Sequence, residues 1–246
     1  MKLILLLAST VLIVLFVRDL WHFRTQVKKG GELVRAATPY ERRDISATHH
    51  IIMLGDSTAV GVGASDPTLT TAGMLAEEYP KSSLVNLSKS GWRAGALREA
   101  YAKMPMTHAD LVVIQIGAND IFRFTPLKIL EADVTAIVAR AKEMSAHVVI
   151  LHSGNVGLAP IFPQYAAYFL SKRTRAVRDT YITLAKTERI AYVDLYRTKE
   201  ADLFLTDIDK FYANDHLHPS GEGYRDWFTQ IQKSIITTYG SDEFLR

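Results

Sequence analysis

A serine hydroxyl attacks a carbonyl only when an imidazole takes its proton, and that imidazole needs a carboxylate to hold its tautomer. The chain offers all three types. Ser57 closes the stretch Gly55-Asp56-Ser57, and Asp215 stands three residues before His218 in Asp215-His216-Leu217-His218-Pro219. Three donors could meet a developing oxyanion: the backbone N–H of Ser57, the backbone N–H of Gly91 and the side-chain amide of Asn119. A side chain at Gly91 could block close approach, and Gly55 would let the chain turn sharply. The chemistry these types would run together is acyl transfer from an ester to water, in two steps through an acyl-serine. The sequence holds no cysteine, which excludes thiol nucleophiles, disulfides and zinc-thiolate sites.

For distant residues to cooperate, the fold must bring them to one place. The pattern along the chain does this on paper. Apolar runs at 50–54, 83–87, 111–116, 148–151 and 190–195 read as strands, several of them β-branched and buried on both faces. Between and after them, 70–79, 93–103, 127–145, 165–187 and 220–239 read as helices, with Pro126 opening the third and Ser220 capping the last. Alternation of this kind predicts a parallel sheet of about five strands with helices on both faces, and such sheets place their sites at the carboxyl ends of the strands. Gly55-Asp56-Ser57, Ser90-Gly91, Gly117-Ala118-Asn119-Asp120 and the 215–219 stretch all fall at that end. Asp56 and Asp120 are expected to hold loop backbone, and His216 to face solvent.

With 246 residues, 48% apolar and 22% charged, the composition is that of an ordinary globular protein. Its formal charge of +3 is mild, and no basic run interleaved with aromatics suggests nucleic acid. Much of the positive charge follows the apolar start, in which only Ser9 and Thr10 interrupt the run from Leu3 to Val17. Residues 1–23 are therefore expected to form a membrane helix, with Arg18 snorkelling and Trp21 at the interface. A cleaved signal peptide is the competing reading, disfavoured because no small-x-small pair follows Val17. Residues 24–48, without sustained periodicity, read as a stalk, and 49–246 as the catalytic domain. The Met-Lys-apolar start resembles a secretory signal, so the expected placement is single-pass and extracytoplasmic, or secreted if the segment is cleaved.

In order and spacing across residues 50–239, these blocks resemble the SGNH (GDSL) hydrolases. Gly-Asp-Ser near the start, a lone glycine in the second loop, Gly-x-Asn-Asp after the third strand and Asp-x-x-His-Pro near the end all have counterparts there. The resemblance implies a flavodoxin-like α/β/α sandwich that cleaves esters, acyl thioesters or acetylated sugars without a metal or other cofactor. It further implies Ser57 as nucleophile, Asp215 and His218 as its triad partners, and Ser57, Gly91 and Asn119 as oxyanion donors. Thr58-Ala-Val-Gly-Val-Gly63 looks like the esterase and lysophospholipase members. The partners expected are a small-molecule or lipid ester and, through the N-terminal helix, a membrane.

Other classes compete. A metal-dependent phosphoesterase could draw on Asp56, Asn119, Asp120, His152, His216 and His218, but the Asp-x-His and Gly-Asn-His segments of such enzymes are missing. A non-catalytic binding module tethered to a membrane could use the same fold. Nucleotide binding through Gly61-Val62-Gly63 lacks a Gly-Lys-Ser/Thr, and Asp66 stands in place of the third dinucleotide-binding glycine.

Overall fold

The computed structural model describes residues 2–246. Five strands form one parallel sheet: β1 His49–Gly55, β2 Ser82–Asn86, β3 Leu111–Gln115, β4 Val148–Leu151 and β5 Ala191–Val193. Their spatial order is β2-β1-β3-β4-β5, and every pairing is parallel. Parallel strands need long crossovers, and here helices supply them. The nine helices among the described residues are α1 Lys2–Ala36, α2 Ser57–Val60, α3 Thr71–Glu78, α4 Ala94–Ala102, α5 Ala118–Phe122, α6 Leu127–Met144, α7 Gln164–Glu188, α8 Ile208–Phe211 and α9 Gly221–Tyr239.

Each strand residue faces one side of the sheet, so a sheet covered on both sides has two cores. On one side Met53, Leu84, Val113 and Leu151 pack with Leu75 of α3 and Trp227 and Ile231 of α9. On the other, Ile52, Leu54, Ile114 and Ile150 pack with Leu97 of α4, Val134 of α6 and Val177 of α7. The expected α/β/α architecture with a five-stranded parallel sheet is thus present. Strand order 2-1-3-4-5 also fixes a topological switch point. The chain leaves β1 toward β2 on one side and returns to β3 on the other, opening a crevice beyond the carboxyl ends of β1 and β3.

The N-terminal expectation needs correction. One continuous helix, α1, runs past the predicted membrane segment to Ala36, and among the described residues no helix is long and apolar enough to cross a membrane. Length is the physical reason. The apolar stretch, broken only by Ser9 and Thr10, ends at Val17, so at about 1.5 Å per residue it rises only about 22 Å, against roughly 30 Å of bilayer hydrocarbon. The following turns carry Arg18, Asp19, Arg24, Lys28 and Lys29. The side chains from Val11 to Val17 are 40–67% exposed.

Beyond Trp21 the helix is docked rather than free. His22 Nε2 lies 3.2 Å from the Pro160 carbonyl, the Phe23 ring meets Phe162, and Gln26 is buried. Residues 24–36 are therefore helix, not the irregular stalk their sequence suggests.

Candidate active site

Met53 and Leu54 are fully buried, so the end of β1 is held rigidly where the chain enters the crevice. Asp56 then caps α2: its Oδ1 accepts from the backbone N–H of Thr58 and from the Thr58 hydroxyl, both at 2.9 Å. Ser57 is the first residue of that helix. Asn86, at the end of β2, donates its side-chain amide to the Ala59 carbonyl at 2.9 Å and clamps the short helix from below. Gly55 has a different function from the one its position suggests. It makes no unusual turn; a Cβ there would stand 2.0 Å from the Gln115 carbonyl oxygen on β3, so only glycine lets these strands close up beside the serine.

The opposite half arrives from the far end of the chain. Residues 213–219 form a tight loop braced by the Ala213 N–H to the His218 carbonyl at 2.8 Å. Ser220 caps α9 through the Gly223 N–H, as the sequence predicts. From α9 the buried Tyr224 hydroxyl donates to the Val62 carbonyl at 2.7 Å, tying this loop to the segment that follows α2.

These two halves meet. His218 Nε2 lies 2.9 Å from Ser57 Oγ, and His218 Nδ1 lies 2.6 Å from Asp215 Oδ2. The other carboxylate oxygen, Oδ1, accepts from the backbone N–H of Leu217 at 3.1 Å and of His218 at 3.0 Å. Burial would raise the Asp215 pKa, but the bond and charge of His218, with the two backbone donors, outweigh it and hold the carboxyl below its ordinary range. The carboxylate is thus ionised and fixed against the imidazole edge that faces away from Ser57.

Gly91 and Asn119 flank the same cavity. Gly91 adopts a left-handed backbone, φ +83°, and a Cβ there would meet nothing within 4 Å. That left-handed backbone is one glycine adopts without strain. Among the described residues no acceptor takes the backbone N–H of Ser57 or of Gly91. Asn119, in α5, donates from Nδ2 to the Trp92 carbonyl at 3.0 Å, which fixes its amide plane. Asp120 beside it does hold loop backbone: its Oδ2 accepts from the N–H of Ala94, the first residue of α4, at 2.9 Å.

The cavity measures about 250 Å³. From Ser57 and His218 it reaches a predominantly apolar interior built by Val156, Leu195, Phe204, Tyr212 and Trp227. Trp92 packs against the core beneath α4, and Phe162 bridges both cores while Tyr165 is exposed.

The set considered for a metal does not assemble. Among the described residues, no three His, Cys, Asp or Glu side chains are grouped to hold a metal ion. His152 is engaged with the Tyr192 hydroxyl at 3.1 Å, and burial pushes its pKa down to about 4. His216 is half-buried beside His22, ring centroids 6.0 Å apart, rather than facing solvent.

One contribution escapes the sequence reading. Val34 of α1 stands at the cavity wall, and Gly30 lies against Asp215. The signal was a spacing: Phe23, Gln26, Gly30 and Val34 recur at three and four residues, one face of a helix. Because two of the four are not apolar, a hydrophobic pattern does not reveal it.

Asp56 carries a consequence for stability. Burial raises its pKa to about 6, against the bonds from Thr58 that lower it, so the folded state holds this proton more tightly than the unfolded chain. The sign follows: the penalty is absent below about pH 4, grows as pH rises to about 6 and persists above. Asp56→Asn keeps the cap and removes the ionisation. The stability of the variant relative to the parent is expected to improve by on the order of 2 kcal/mol between pH 4 and pH 8. Urea unfolding of both proteins at the two pH values checks it; a pH-independent difference refutes it.

Comparison with known proteins agrees with this architecture. The model of the GDSL-like lipase/acylhydrolase family matches residues 53–225. An arylesterase of Vibrio mimicus is 30% identical over 113 residues, which are 43% of this chain and 54% of that protein; the chain spans about half the length of this curated relative. Among solved structures, that of TesA superposes with a TM-score of 0.60 at 20% identity, covering 77% of this chain and 99% of TesA. The acetylxylan esterase Axe2 of Geobacillus stearothermophilus gives 0.55 at 19%, covering 83% and 99%. These two likenesses concern the fold. With the family model spanning both Ser57 and His218, the chain belongs to the GDSL-like lipase/acylhydrolase family.

Proposed function

We propose that this protein hydrolyses carboxylic esters by a Ser57-His218-Asp215 mechanism. The observation that carries the reading is the unbroken line of contacts from Ser57 Oγ through both ring nitrogens of His218 to Asp215 Oδ2. His218 takes the serine proton as Ser57 attacks the ester carbonyl. Asp215 keeps the Nδ1 proton in place and stabilises the imidazolium. His218 then protonates the leaving alcohol, water enters, and the same steps in reverse order release the acid.

The backbone N–H groups of Ser57 and Gly91 and the free amide proton of Asn119 receive the oxyanion in this mechanism. The Trp92 carbonyl occupies one proton of Asn119 and so orients the other. Losing such a donor costs about 3 kcal/mol of transition-state stabilisation. Asn119→Ala is accordingly expected to lower kcat by about 100-fold with KM little changed; a rise in KM at constant kcat makes Asn119 a ground-state binder instead.

The apolar interior of the cavity supports a substrate with an apolar chain on the ester. Each methylene it buries adds about 0.8 kcal/mol, so kcat/KM rises about fourfold per carbon until the space is full. A series of p-nitrophenyl esters from acetate to laurate measures this, and a preference for acetate that falls steadily with length refutes it.

The central test is labelling by a serine-reactive organophosphate. Modification of Ser57 with loss of turnover, and turnover unchanged by a chelator, is the expected result. Turnover abolished by chelation, with Ser57 unlabelled, favours the metal-dependent phosphoesterase class. Absence of any ester turnover leaves the binding-module reading.

A further inference from the structure

Two adjacent glycines, Gly30 and Gly31, lie in the last two turns of α1, and each weakens a helix by roughly 1 kcal/mol relative to alanine. Their surroundings differ. A Cβ at Gly31 would come no closer than 3.6 Å to any neighbour, the Arg35 Nη1. A Cβ at Gly30 would stand 3.0 Å from Asp215 Oδ2, with Asp215 Cβ at 3.7 Å. That oxygen is the one bonded to His218 Nδ1 at 2.6 Å.

Asp215 is fully buried. On one side His218 and the backbone N–H groups of Leu217 and His218 grip its carboxylate. On another side lies the backbone of α1 at Gly30. The helix is seated there by His22 on the Pro160 carbonyl, by the buried Gln26 and by Phe23 on Phe162, and it reaches the cavity wall at Val34.

We infer that α1 is a working part of the catalytic centre, and that Gly30 is a positioning residue whose missing side chain sets where the Asp215 carboxylate sits. The inference rests on the triad reading above. A methyl at 3.0 Å is nearer than the 3.3–3.6 Å typical of even a weakly attractive carbon–oxygen contact. Either the carboxylate yields by a few tenths of an ångström or the helix lifts. Both loosen the bond that orients His218. Since a misplacement of about 1 Å in such a site costs about 100-fold, a shift of this size is worth about tenfold.

Gly31→Ala is the internal control, because it brings the same gain in helix propensity without touching Asp215. For Gly30→Ala the expected result is a kcat about tenfold lower, KM within about twofold and Tm not reduced, with Gly31→Ala retaining parental kcat. A second comparison separates positioning from general damage. In an Asp215→Ala background the carboxylate that the new methyl presses on is gone and only Cβ remains, at an ordinary contact distance of 3.7 Å, so adding Gly30→Ala is expected to lower kcat no further.

Parental kcat in Gly30→Ala overturns the inference. So does an equal loss in both backgrounds, or a loss accompanied by an equal loss in Gly31→Ala. Undiminished turnover in Ser57→Ala, by contrast, removes the triad reading itself, so the two failures are told apart.

Discussion

Replacing His218 with alanine is expected to lower kcat on a short ester by on the order of 10⁶, leaving KM and the unfolding midpoint nearly unchanged. The size of the loss follows from the position of the ring. Nε2 is 2.9 Å from Ser57 Oγ, and the hydroxyl has no other base within the bonds it makes. Without the imidazole the serine must attack as a neutral alcohol, and the leaving alkoxide has no proton source. What remains is binding and the oxyanion donors. Removing the ring also leaves the buried Asp215 carboxylate with its two backbone donors, from Leu217 and His218, so the loop keeps its main tether and the fold survives. Steady-state kinetics with p-nitrophenyl acetate, alongside thermal unfolding, checks both halves. A variant that keeps even a tenth of its kcat assigns the base elsewhere.

The second large effect is expected from Asp215→Asn, a kcat loss of about 10⁴. The substitution preserves shape and the acceptor for the two backbone N–H groups, and changes only what faces the ring. An amide nitrogen at the Oδ2 position is a donor, so the imidazole must turn its proton to Nε2, where it can no longer accept from Ser57. The carboxylate is also lost as a counter-charge for the imidazolium. Because the Asp215 pKa is held below its ordinary value, its ionised form stabilises the fold above the unfolded pKa near 4, and that contribution fades as pH falls through the lower folded value. Asp215→Asn is therefore expected to flatten this part of the acid unfolding profile. Kinetic loss without that flattening places the ionised carboxylate outside the stability balance.

Much of this arrangement was legible before any coordinates. Most strands are apolar on both faces and the helices amphipathic, so periodicity located all five strands and the five longer helices that follow β1 within a few residues. Ser57, Asp215 and His218 stood out because polar residues rarely close an apolar strand or precede a capped helix without reason. The same argument placed Gly91 and Asn119 at this crevice, although glycine at 55 is required by packing against β3 rather than by turning. A strand neighbour such as Gln115 gives no sign in sequence of how near its carbonyl lies.

In the N-terminal helix the sequence reading did not anticipate the turns that continue to Ala36. An apolar run of membrane-like composition drew attention to its hydrophobicity, whereas its structural function resides in the next turns. There the face turned to the domain carries Phe23, Gln26, Gly30 and Val34, of which the buried member is the polar Gln26, a mixture that a hydrophobic scale does not mark. A glycine that lies against one carboxylate leaves little trace in composition.

The separation of the two halves has a consequence for biosynthesis. Ser57 and the imidazole beside it are 161 positions apart, and α9, which follows that imidazole in the chain, seats Tyr224 on Val62. A ribosome-bound chain that has completed its first four strands displays an inert hydroxyl in a half-built crevice. In the proposed mechanism that hydroxyl gains its base only once the segment carrying His218 has been made and folded against it, so a nascent chain is not expected to be acylated by passing esters.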